Sequence, residues 1–536
     1  GGKMIYEFES DVKIDDEILK AELGSNGDVQ LKNIIRTIQK EQNAIIRNTS
    51  DRIMVIQGAA GSGKTSIALH RIAYLLYHDR KNLKSSSVLV LSPNGVFSDY
   101  ISHILPELGE ENIREMSFDL FAYKRLKNVV SDCEDRYDLI ERQIAGLCDE
   151  KLLKEKLSRD FLDRMEGYLV ELEDSLMNFR DVEHRGVVKK EQEIIELFYF
   201  KFMDIPLLSR MDAVAEYFID EVETLKGFDL PDEEREAVKN RFYRMYETRD
   251  LYVLYNRFLR QEGFSSLPQV QYEKRKLRYE DVYPVLYLKY RLETQQEDSG
   301  VRHLIVDEMQ DYSMIQYLII QRLFKCRMTI LGDREQTMDG EQQDVLTFLP
   351  KIFGKDIRRI VMNKSYRNTV EIASYANKLA GITEVELFER HGKPVVEKEF
   401  PGLEEALESV VRELRLEKQA VIAENADEGV EDIISYETAA VIARTADEAR
   451  ETYYILKEKL EAEGFDTKER LSLLHRDSTN FQKGLTVTTF YMAKGLEFDQ
   501  VFSVFPGEDR SPIVERARYI AATRALHELY MYEVVK

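Results

Sequence analysis

The sequence contains no tryptophan, and only 26 glycines and 11 prolines among its 536 residues. So few turn-forming residues argue against a turn-rich all-β fold and favour long helices. Its three cysteines, Cys133, Cys148 and Cys326, form no CxxC pair, which excludes a disulfide framework and a structural zinc site. This cysteine usage predicts a reducing, cytoplasmic setting. No apolar run approaches the ~18–20 residues that cross a bilayer, so we expect no membrane partner.

Acidic residues outnumber basic ones by 98 to 76, which gives a net charge of −22. Such an excess argues against non-specific coating of nucleic acid, although a local basic groove remains compatible with it. Hydrophobic residues make up 43% of the chain, which excludes wholesale disorder. At roughly 100–200 residues per domain, the length predicts more than one hydrophobic core.

Short apolar runs separate long helical stretches. The clearest runs are Ile53–Gln57, Val88–Ser92, His303–Asp307, Met328–Gly332, Ala439–Ala443, Leu485–Thr489 and Val501–Phe505. Most of them are continuously apolar, which is typical of parallel strands buried on both faces. Because helical periodicity lies between them, the repeating unit is βαβ and the predicted fold class is α/β. Residues 119–290 carry apolar residues at helical spacing and are predicted to be a helical insertion.

A phosphate-binding loop is predicted after the first strand. The segment Gly58-Ala59-Ala60-Gly61-Ser62-Gly63-Lys64-Thr65 satisfies G-x-x-x-x-G-K-[ST], and it lies between a predicted strand and a predicted helix. Gly58, Gly61, Ser62 and Gly63 let backbone N–H groups face a phosphate at the positive end of the helix. Lys64 is expected to reach the β- and γ-phosphates, and Thr65 is expected to hold Mg²⁺.

Two further segments supply candidate catalytic residues. Asp307 ends an apolar strand, so its carboxylate should emerge beside the phosphate loop and hold Mg²⁺. Glu308 follows it and could orient or deprotonate the attacking water. Gln336, in ILGDREQ, follows another predicted strand and could sense the γ-phosphate.

Taken with the C-terminal half, these motifs resemble superfamily 1 helicases of the UvrD/Rep type, and within them the HelD (helicase IV-like) branch. The resemblance runs in family order from Gln39 to Leu529, through TIQKEQNAIIR, QGAAGSGKTSIALHRIAYLLY, VLSPNGVFSDYISHILPELGEENI, IVDEMQD, GDREQ, NKSYRN, TVTTFYMAKGLEFDQV and RYIAATRALHEL. It implies an ATP-hydrolysing motor with two RecA-like domains and with ATP and Mg²⁺ in the cleft between them.

The resemblance also implies roles for residues outside the phosphate loop. Gln42 matches a glutamine that reads the adenine edge, and Tyr366 matches an aromatic residue that stacks on the base. Arg367 and Arg524 match arginines that reach the γ-phosphate from the second core, while Glu497 matches an acid near the ribose. An arginine from a separate domain stabilises transition-state charge only when the cleft closes, which would couple hydrolysis to domain motion.

The strand pattern and the resemblance together predict five segments. They are an N-terminal remnant over residues 1–30, the first part of RecA-like domain 1 with the phosphate loop over 31–118, the helical insertion over 119–290, the second part of domain 1 over 291–354, and RecA-like domain 2 over 355–536.

The sequence departs from the UvrD/Rep pattern where relatives stack nucleic-acid bases. Relatives carry a tryptophan just after the GDxxQ motif, where this chain has Thr337-Met338-Asp339-Gly340, and an aromatic residue where it has Ser92-Pro93-Asn94. Stacking contributes ~1–3 kcal/mol per base, so binding to single-stranded DNA should be weak. About 38 residues precede Gln39, so the long N-terminal arm with which the HelD branch enters RNA polymerase is expected to be absent.

These observations leave three hypotheses. The first is a nucleotide-driven motor that remodels nucleic acid or its complexes with RNA polymerase, which the acidic charge and the missing aromatics favour. The alternative is a true ATP-dependent helicase or translocase on single-stranded DNA, which the complete set of motor motifs supports. A nucleotide-binding scaffold with little turnover is the third, and Glu308, Gln336, Arg367 and Arg524 argue against it.

Overall fold

The structure, a computed structural model, describes residues 40, 42–93, 113–294, 300–333, 345–354, 356–362, 364–382, 385–416, 436–476, 478 and 483–535. Within these ranges the strands are β1 (Ile53–Gly58), β2 (Val88–Leu91), β3 (Arg114–Met116), β4 (Asp132–Cys133), β5 (Val182–His184), β6 (Val187–Lys189), β7 (Lys276–Leu277), β8 (His303–Val306), β9 (Arg327–Gly332), β10 (Ile357–Met362), β11 (Lys364–Ser365), β12 (Glu386–Leu387), β13 (Val396–Phe400), β14 (Thr438–Ala443), β15 (Leu471–Leu473), β16 (Gly484–Thr489), β17 (Phe498–Pro506) and β18 (Ala525–Val534).

The α-helices of the same ranges are α1 (Lys64–His78), α2 (Phe118–Leu126), α3 (Arg136–Ile144), α4 (Glu150–Lys156), α5 (Arg159–Ser175), α6 (Glu191–Glu196), α7 (Arg210–Lys226), α8 (Asp232–Tyr243), α9 (Leu251–Gln261), α10 (Tyr279–Leu292), α11 (Met314–Leu323), α12 (Val345–Phe353), α13 (Val370–Ala380), α14 (Leu403–Glu413), α15 (Ala446–Ala462), α16 (Thr467–Arg470) and α17 (Pro512–Ala522). Short 3-10 turns and one π-helical turn, Leu197–Lys201, join some of them.

The first sheet has six strands in the order β10-β1-β9-β8-β2-β3, and all of them run parallel. Four of the predicted apolar runs form its centre as β1, β9, β8 and β2, where nearly every residue is buried. Because parallel strands end at the same edge, the C-terminal ends of β1, β8 and β9 lie side by side. This edge carries the phosphate-loop segment.

The second sheet also has six parallel strands, in the order β13-β18-β17-β14-β16-β15. The three remaining predicted runs form β14, β16 and β17. Two all-parallel sheets with helices between their strands confirm the α/β fold class. No helix in the described ranges is both long enough and apolar enough to cross a membrane.

Helices α2 to α10 lie between β3 and β8 in the sequence and share one continuous hydrophobic core with a face of the first sheet. Their buried side chains include Phe161, Phe258 and Tyr283, which are all fully buried. From α3, Ile140 instead packs in a core of the second sheet. The helical region therefore touches both α/β cores.

Strand β10 lies in the first sheet beside β1, so that sheet continues past residue 354, where the sequence analysis ends the first domain. Arg358 and Arg359 interrupt its apolar residues and are exposed, because β10 is an edge strand. Such a mixed segment lacks the continuous apolar run that marks a central strand.

Candidate nucleotide site

The phosphate-loop segment connects β1 to α1 through two glycines with left-handed backbone. Gly61 has φ 71° and Gly63, at the N-terminus of α1, has φ 78°, conformations that favour glycine over other residues. Space also requires glycine, because a Cβ on Gly61 would overlap Asn368 and a Cβ on Gly63 would overlap the Tyr366 hydroxyl. The loop is therefore closely covered by the segment that contains residues 366–368.

The side chain of Lys64 lies along its own loop. Its Nζ donates hydrogen bonds of 2.9 Å to the carbonyl oxygens of both Gly58 and Ala59, and it lies 3.9 Å from Asp333 Oδ2. Thr65 follows in the first turn of α1, and Ser62, within the loop, is fully buried. No described side chain caps the N–H groups at the start of α1. Together with the positive charge of Lys64, these groups are suited to bind an anion.

Two buried carboxylates follow β8. The backbone N–H of Asp307 donates to the Leu91 carbonyl, while Asp307 Oδ1 accepts a 2.9 Å hydrogen bond from the Glu308 N–H. Burial, followed by the charge of Glu308, raises the pKa of Asp307 above its usual range, and Lys64 opposes this shift. Such a carboxylate is stabilised by a cation placed beside it. Glu308 itself has a left-handed backbone with φ 53°, which is uncommon for a residue with a side chain.

Gln310 joins the ends of β8 and β9. Its Nε2 donates a 2.5 Å hydrogen bond to Glu308 Oε2, and its Oε1 accepts a 3.0 Å hydrogen bond from the Asp333 N–H. A Cβ on Gly332 would overlap Gln310, so glycine is required at the end of β9. This side chain fixes the orientation of the Glu308 carboxylate. The sequence analysis quoted its motif, IVDEMQD, without assigning it a role.

Several predicted nucleotide-binding residues meet at the phosphate loop. The N–H groups of Tyr366 and Arg367 both donate to the Gly61 carbonyl, at 3.2 and 3.3 Å. The Tyr366 hydroxyl accepts a 2.9 Å hydrogen bond from Gln42 Nε2, and its side chain is 1% exposed. Because the ring is covered, stacking on a base would require its neighbours to move. The roles of Gln42 and Tyr366 stay predictions.

The guanidinium of Arg367 reaches from this segment to both cores. It donates to Ser66 Oγ in the first turn of α1, and it donates a 2.5 Å hydrogen bond to Glu497 Oε1. Glu497 lies just before β17 in the second sheet. The structure therefore brings Arg367, Glu497 and the start of α1 together.

Arg524 lies between α17 and β18 and is 6% exposed. It donates to the Leu496 carbonyl at 3.2 Å and to Thr523 Oγ1 at 3.0 Å, so these contacts hold it within the second core. Its role at the γ-phosphate stays a prediction. Gln336 lies outside the described residues.

Lys494 is a site residue that the sequence analysis missed. Its side chain is 1% exposed, and its Nζ donates a 2.6 Å hydrogen bond to Asp311 Oδ2 and lies 3.6 Å from Glu308 Oε2. Lys494 belongs to the segment between β16 and β17, whereas Asp311 and Glu308 follow β8. A buried cation of the second core thus contacts the acidic segment of the first.

Asp311 also contacts Arg136, a residue of the helical region. Arg136 donates to the Asp311 carbonyl oxygen, and its second nitrogen lies 3.4 Å from Asp311 Oδ1. Asp311 therefore contacts all three parts of the molecule. The lysine in AKGLEFD and the acidic segment are the sequence signals of this network, but 183 residues separate Asp311 from Lys494.

A strand, a glycine-rich loop and a helix, followed by a buried Asp–Glu pair after a nearby parallel strand, define a P-loop nucleotide site. Comparison with protein families assigns the chain to a known family. The model of the UvrD/REP helicase N-terminal domain matches residues 38–338, more than half of the 536 residues, so the chain belongs to the UvrD/REP helicase family. It is a helicase-type motor protein.

Among solved structures, 254 chains match this one. One is described as the C-terminal domain of a possible DNA helicase from Lactobacillus plantarum WCFS1. It is 24% identical, with a TM-score of 0.22, and the match covers 32% of this chain and 88% of the other. No curated protein matches the chain significantly.

Proposed function

We propose that this protein hydrolyses ATP between its two α/β cores and uses the resulting domain motion to remodel nucleic acid or its protein complexes. The observation that carries the proposal is the set of contacts across the P-loop site. Arg367 contacts α1 and Glu497, while Lys494 contacts Asp311 beside Glu308. A nucleotide bound there would touch groups of both cores.

ATP would be held by the phosphate loop, with backbone N–H groups and Lys64 facing its phosphates. The Thr65 hydroxyl and the Asp307 carboxylate would hold Mg²⁺, which when bound neutralises charge on the phosphate oxygens. These residues fit the ion because both supply hard oxygen ligands. Burial and Glu308 together raise the pKa of Asp307, and a cation bound beside the carboxylate would lower it again.

Glu308 would act as the general base. Its carboxylate would accept a proton from the attacking water as the water oxygen bonds to the γ-phosphorus and the bond to the leaving β-phosphate oxygen breaks. Gln310 and Lys494 would act as positioning residues, since one bonds Glu308 Oε2 and the other lies 3.6 Å from it. Neither is assigned contact with substrate.

Coupling to motion would follow from the residues that the second core contributes. Arg367 would stabilise charge on the γ-phosphate, and Arg524 would join it on closure, as the family resemblance implies. Gln336, which follows β9 of the first sheet in the sequence, would sense the γ-phosphate through its amide. Gln42, Tyr366 and Glu497 would hold the nucleoside. Hydrolysis and phosphate release would then weaken the attraction that keeps the cores together.

Two activities are compatible with this nucleotide site. A remodeller of nucleic-acid complexes with RNA polymerase, as in the HelD branch, is favoured by the net charge of −22 and the absence of tryptophan. A helicase on single-stranded DNA is the second candidate, and membership of the UvrD/REP family favours it. Weak, mostly electrostatic DNA binding would fall linearly with salt on logarithmic axes.

The deciding experiment measures the ATPase rate alone, with single-stranded DNA, and with RNA polymerase. Strong stimulation by DNA together with efficient unwinding would favour the helicase. Stimulation or stable binding only with polymerase would favour the remodeller. If no ATP is hydrolysed under any of these conditions, the proposed motor function is wrong.

A further inference from the structure

A cavity of about 660 Å³ lies at the edge of the first sheet opposite the phosphate loop. Four basic residues line it where parallel strands begin: Arg52 before β1, Arg302 before β8, Lys325 before β9, and Arg327 as the first residue of β9. Strand β1 spans six residues, or roughly 20 Å, so this basic cavity is separate from the nucleotide site.

The positive charge of the basic cavity is not balanced within the described chain. Asp79 is the one acid among its described lining residues, and none of the four basic residues forms an ion pair in the part of the chain that the structure describes. Arg302 instead donates to the Asn82 carbonyl at 2.8 Å, and Lys325 donates to a backbone carbonyl at 3.1 Å. Within the described residues these charges thus meet only neutral acceptors, in a chain whose net charge is −22.

Two buried groups, His303 in the cavity lining and Arg71, have pKa values that are lowered first by burial and then by neighbouring basic residues. Burial, followed by Arg71 and Arg327, lowers the pKa of His303 to about 3, so the imidazole is neutral and contacts Thr329 Oγ1 at 3.0 Å. Burial, followed by Arg327, also lowers the pKa of Arg71 to about 10, and Asp51 opposes this shift. Arg71 is buried and donates to backbone carbonyls, including that of Ile45 at 2.8 Å, whereas Arg327 donates to the Thr49 carbonyl and is exposed. The exposed basic groups, Arg52, Arg302, Lys325 and Arg327, therefore lie on the cavity side.

The floor of the basic cavity is apolar. Leu75, Leu83, Val301 and Leu323 line it, and each is at most 7% exposed. An apolar floor with a few convergent polar groups, at a volume between roughly 300 and 1,000 Å³, is typical of small-molecule sites. Guanidinium groups also match phosphate geometry through paired hydrogen bonds.

We propose that the basic cavity binds a phosphate-bearing nucleotide unit, with its phosphate on Arg302 and Arg327 and its base or sugar over the apolar floor. A ligand with this chemistry could be either a free nucleotide or one unit of a nucleic-acid strand. This site is additional to the ATP site and lies at the opposite edge of the same sheet.

The test measures binding of two probes, AMP and a fluorescent 20-nucleotide oligothymidylate, to three variants. Arg302→Ala with Arg327→Ala removes two cavity charges, and Arg302→Lys with Arg327→Lys retains them. The matched control is Lys124→Ala with Lys127→Ala, which removes two exposed charges outside the cavity lining. Alkylation of Cys326, a lining residue, gives a local readout of occupancy.

We expect the double alanine variant to lose roughly tenfold or more in affinity, since charge-assisted hydrogen bonds are lost. The control should bind nearly as wild type does, and the lysine variant should bind more tightly than the alanine variant but less tightly than wild type, because it keeps the charge and loses the paired hydrogen bonds. A bound probe should slow alkylation of Cys326. If the oligonucleotide binds, its logarithmic salt slope should become shallower by about 1.4 for two lost phosphate contacts.

Loss of AMP binding alone identifies a free nucleotide, and loss of oligonucleotide binding, alone or with AMP, identifies a strand. The proposal is overturned if both probes bind the double alanine variant and the control equally, or if neither slows alkylation of Cys326. It is also overturned if a poly-glutamate peptide binds through Arg302 and Arg327 while neither phosphate probe does. ATP turnover of the variants reports separately on the proposed motor function.

Discussion

The two sheets share one architecture but differ in the loops that leave their central strands. Strand β1 leads to α1 through a five-residue glycine-rich loop, and no described side chain caps the start of α1. Strand β14 leads to α15 through only Arg444 and Thr445, and Thr445 and Glu448 cap α15 reciprocally. Arg444 is bound to Glu448 and Asp509, each at 2.6 Å. The N-terminus of α1 in the first core is therefore available to an anion. The N-terminus of α15 in the second core is already capped by Thr445 and Glu448.

The parallel sheet alone is therefore not sufficient to create a nucleotide site. Both sheets offer a strand edge and a helix N-terminus, but only the first combines a left-handed glycine loop with a lysine and a buried Asp–Glu pair. Chemistry therefore resides in a few loop residues placed on a shared scaffold. Matched substitutions at the two edges can test the comparison.

The largest effect should come from the proposed base. Glu308→Gln keeps the shape of the side chain but removes the proton acceptor, so kcat for ATP should fall by about 10²–10⁴-fold while ATP binding is retained. Glu448→Gln, at the other sheet, should leave kcat close to wild type. Steady-state ATPase assays and nucleotide titration measure both quantities. A wild-type rate for Glu308→Gln would show that Glu308 is not the base.

The next largest effect concerns the loop cation. Lys64→Ala removes the positive charge facing the phosphates, so kcat/KM for ATP should fall by about 10²–10³-fold, with weaker nucleotide binding. Arg444→Ala removes a charge at the corresponding edge of the second sheet and should leave ATP turnover unchanged. Equal losses in the two variants, in the same ATPase assay, would contradict the asymmetry between the edges.

The contact between the cores should matter more for stability than a surface pair. Lys494→Met leaves the buried Asp311 carboxylate with one fewer cation, so the free energy of unfolding should fall by about 3 kcal/mol. Lys459→Met breaks a more exposed pair with Glu408 and should cost less than about 1 kcal/mol. Urea unfolding monitored by circular dichroism compares them, and equal costs would argue against a structural role for Lys494.

The smallest effect is expected at the cap of α15. Thr445→Ala removes the hydrogen bond from the Glu448 N–H and should destabilise the protein by about 1 kcal/mol, whereas Thr445→Ser should retain most of it. The KM for ATP should not change in either variant. A raised KM would mean that the second edge takes part in nucleotide binding after all.

Seven strands, β1, β2, β8, β9, β14, β16 and β17, could be predicted because most of them are continuous apolar runs. Strands β10 and β18 were not predicted, since charged residues such as Arg358, Arg359 and Glu528 interrupt their apolar residues. In β18, Glu528 is buried and is compensated by Lys393 at 2.6 Å, a partner more than 130 residues away. Local periodicity cannot reveal such partners.

The candidate site shows the same limit. The glycines, Lys64, Asp307 and Glu308 follow from motif spacing, because the chemistry of phosphate binding requires those residue types in that order. Lys494 and Arg136 gain their significance only through Asp311, which each reaches from a different part of the chain. Their motifs can be read from the sequence, but the spatial contact between such distant segments cannot.

The path of the chain between the two cores has a mechanical consequence. Strand β10 ends at Met362, whose carbonyl accepts a 3.2 Å hydrogen bond from the Ala59 N–H of the phosphate loop, and β11 begins two residues later. The end of β10, after which the chain leaves the first sheet, is thus hydrogen-bonded to the loop that would bind ATP. In the proposed motor, a small shift of this loop would be transmitted directly to the segment that connects the two sheets, and it would produce larger displacements at the far ends of the molecule.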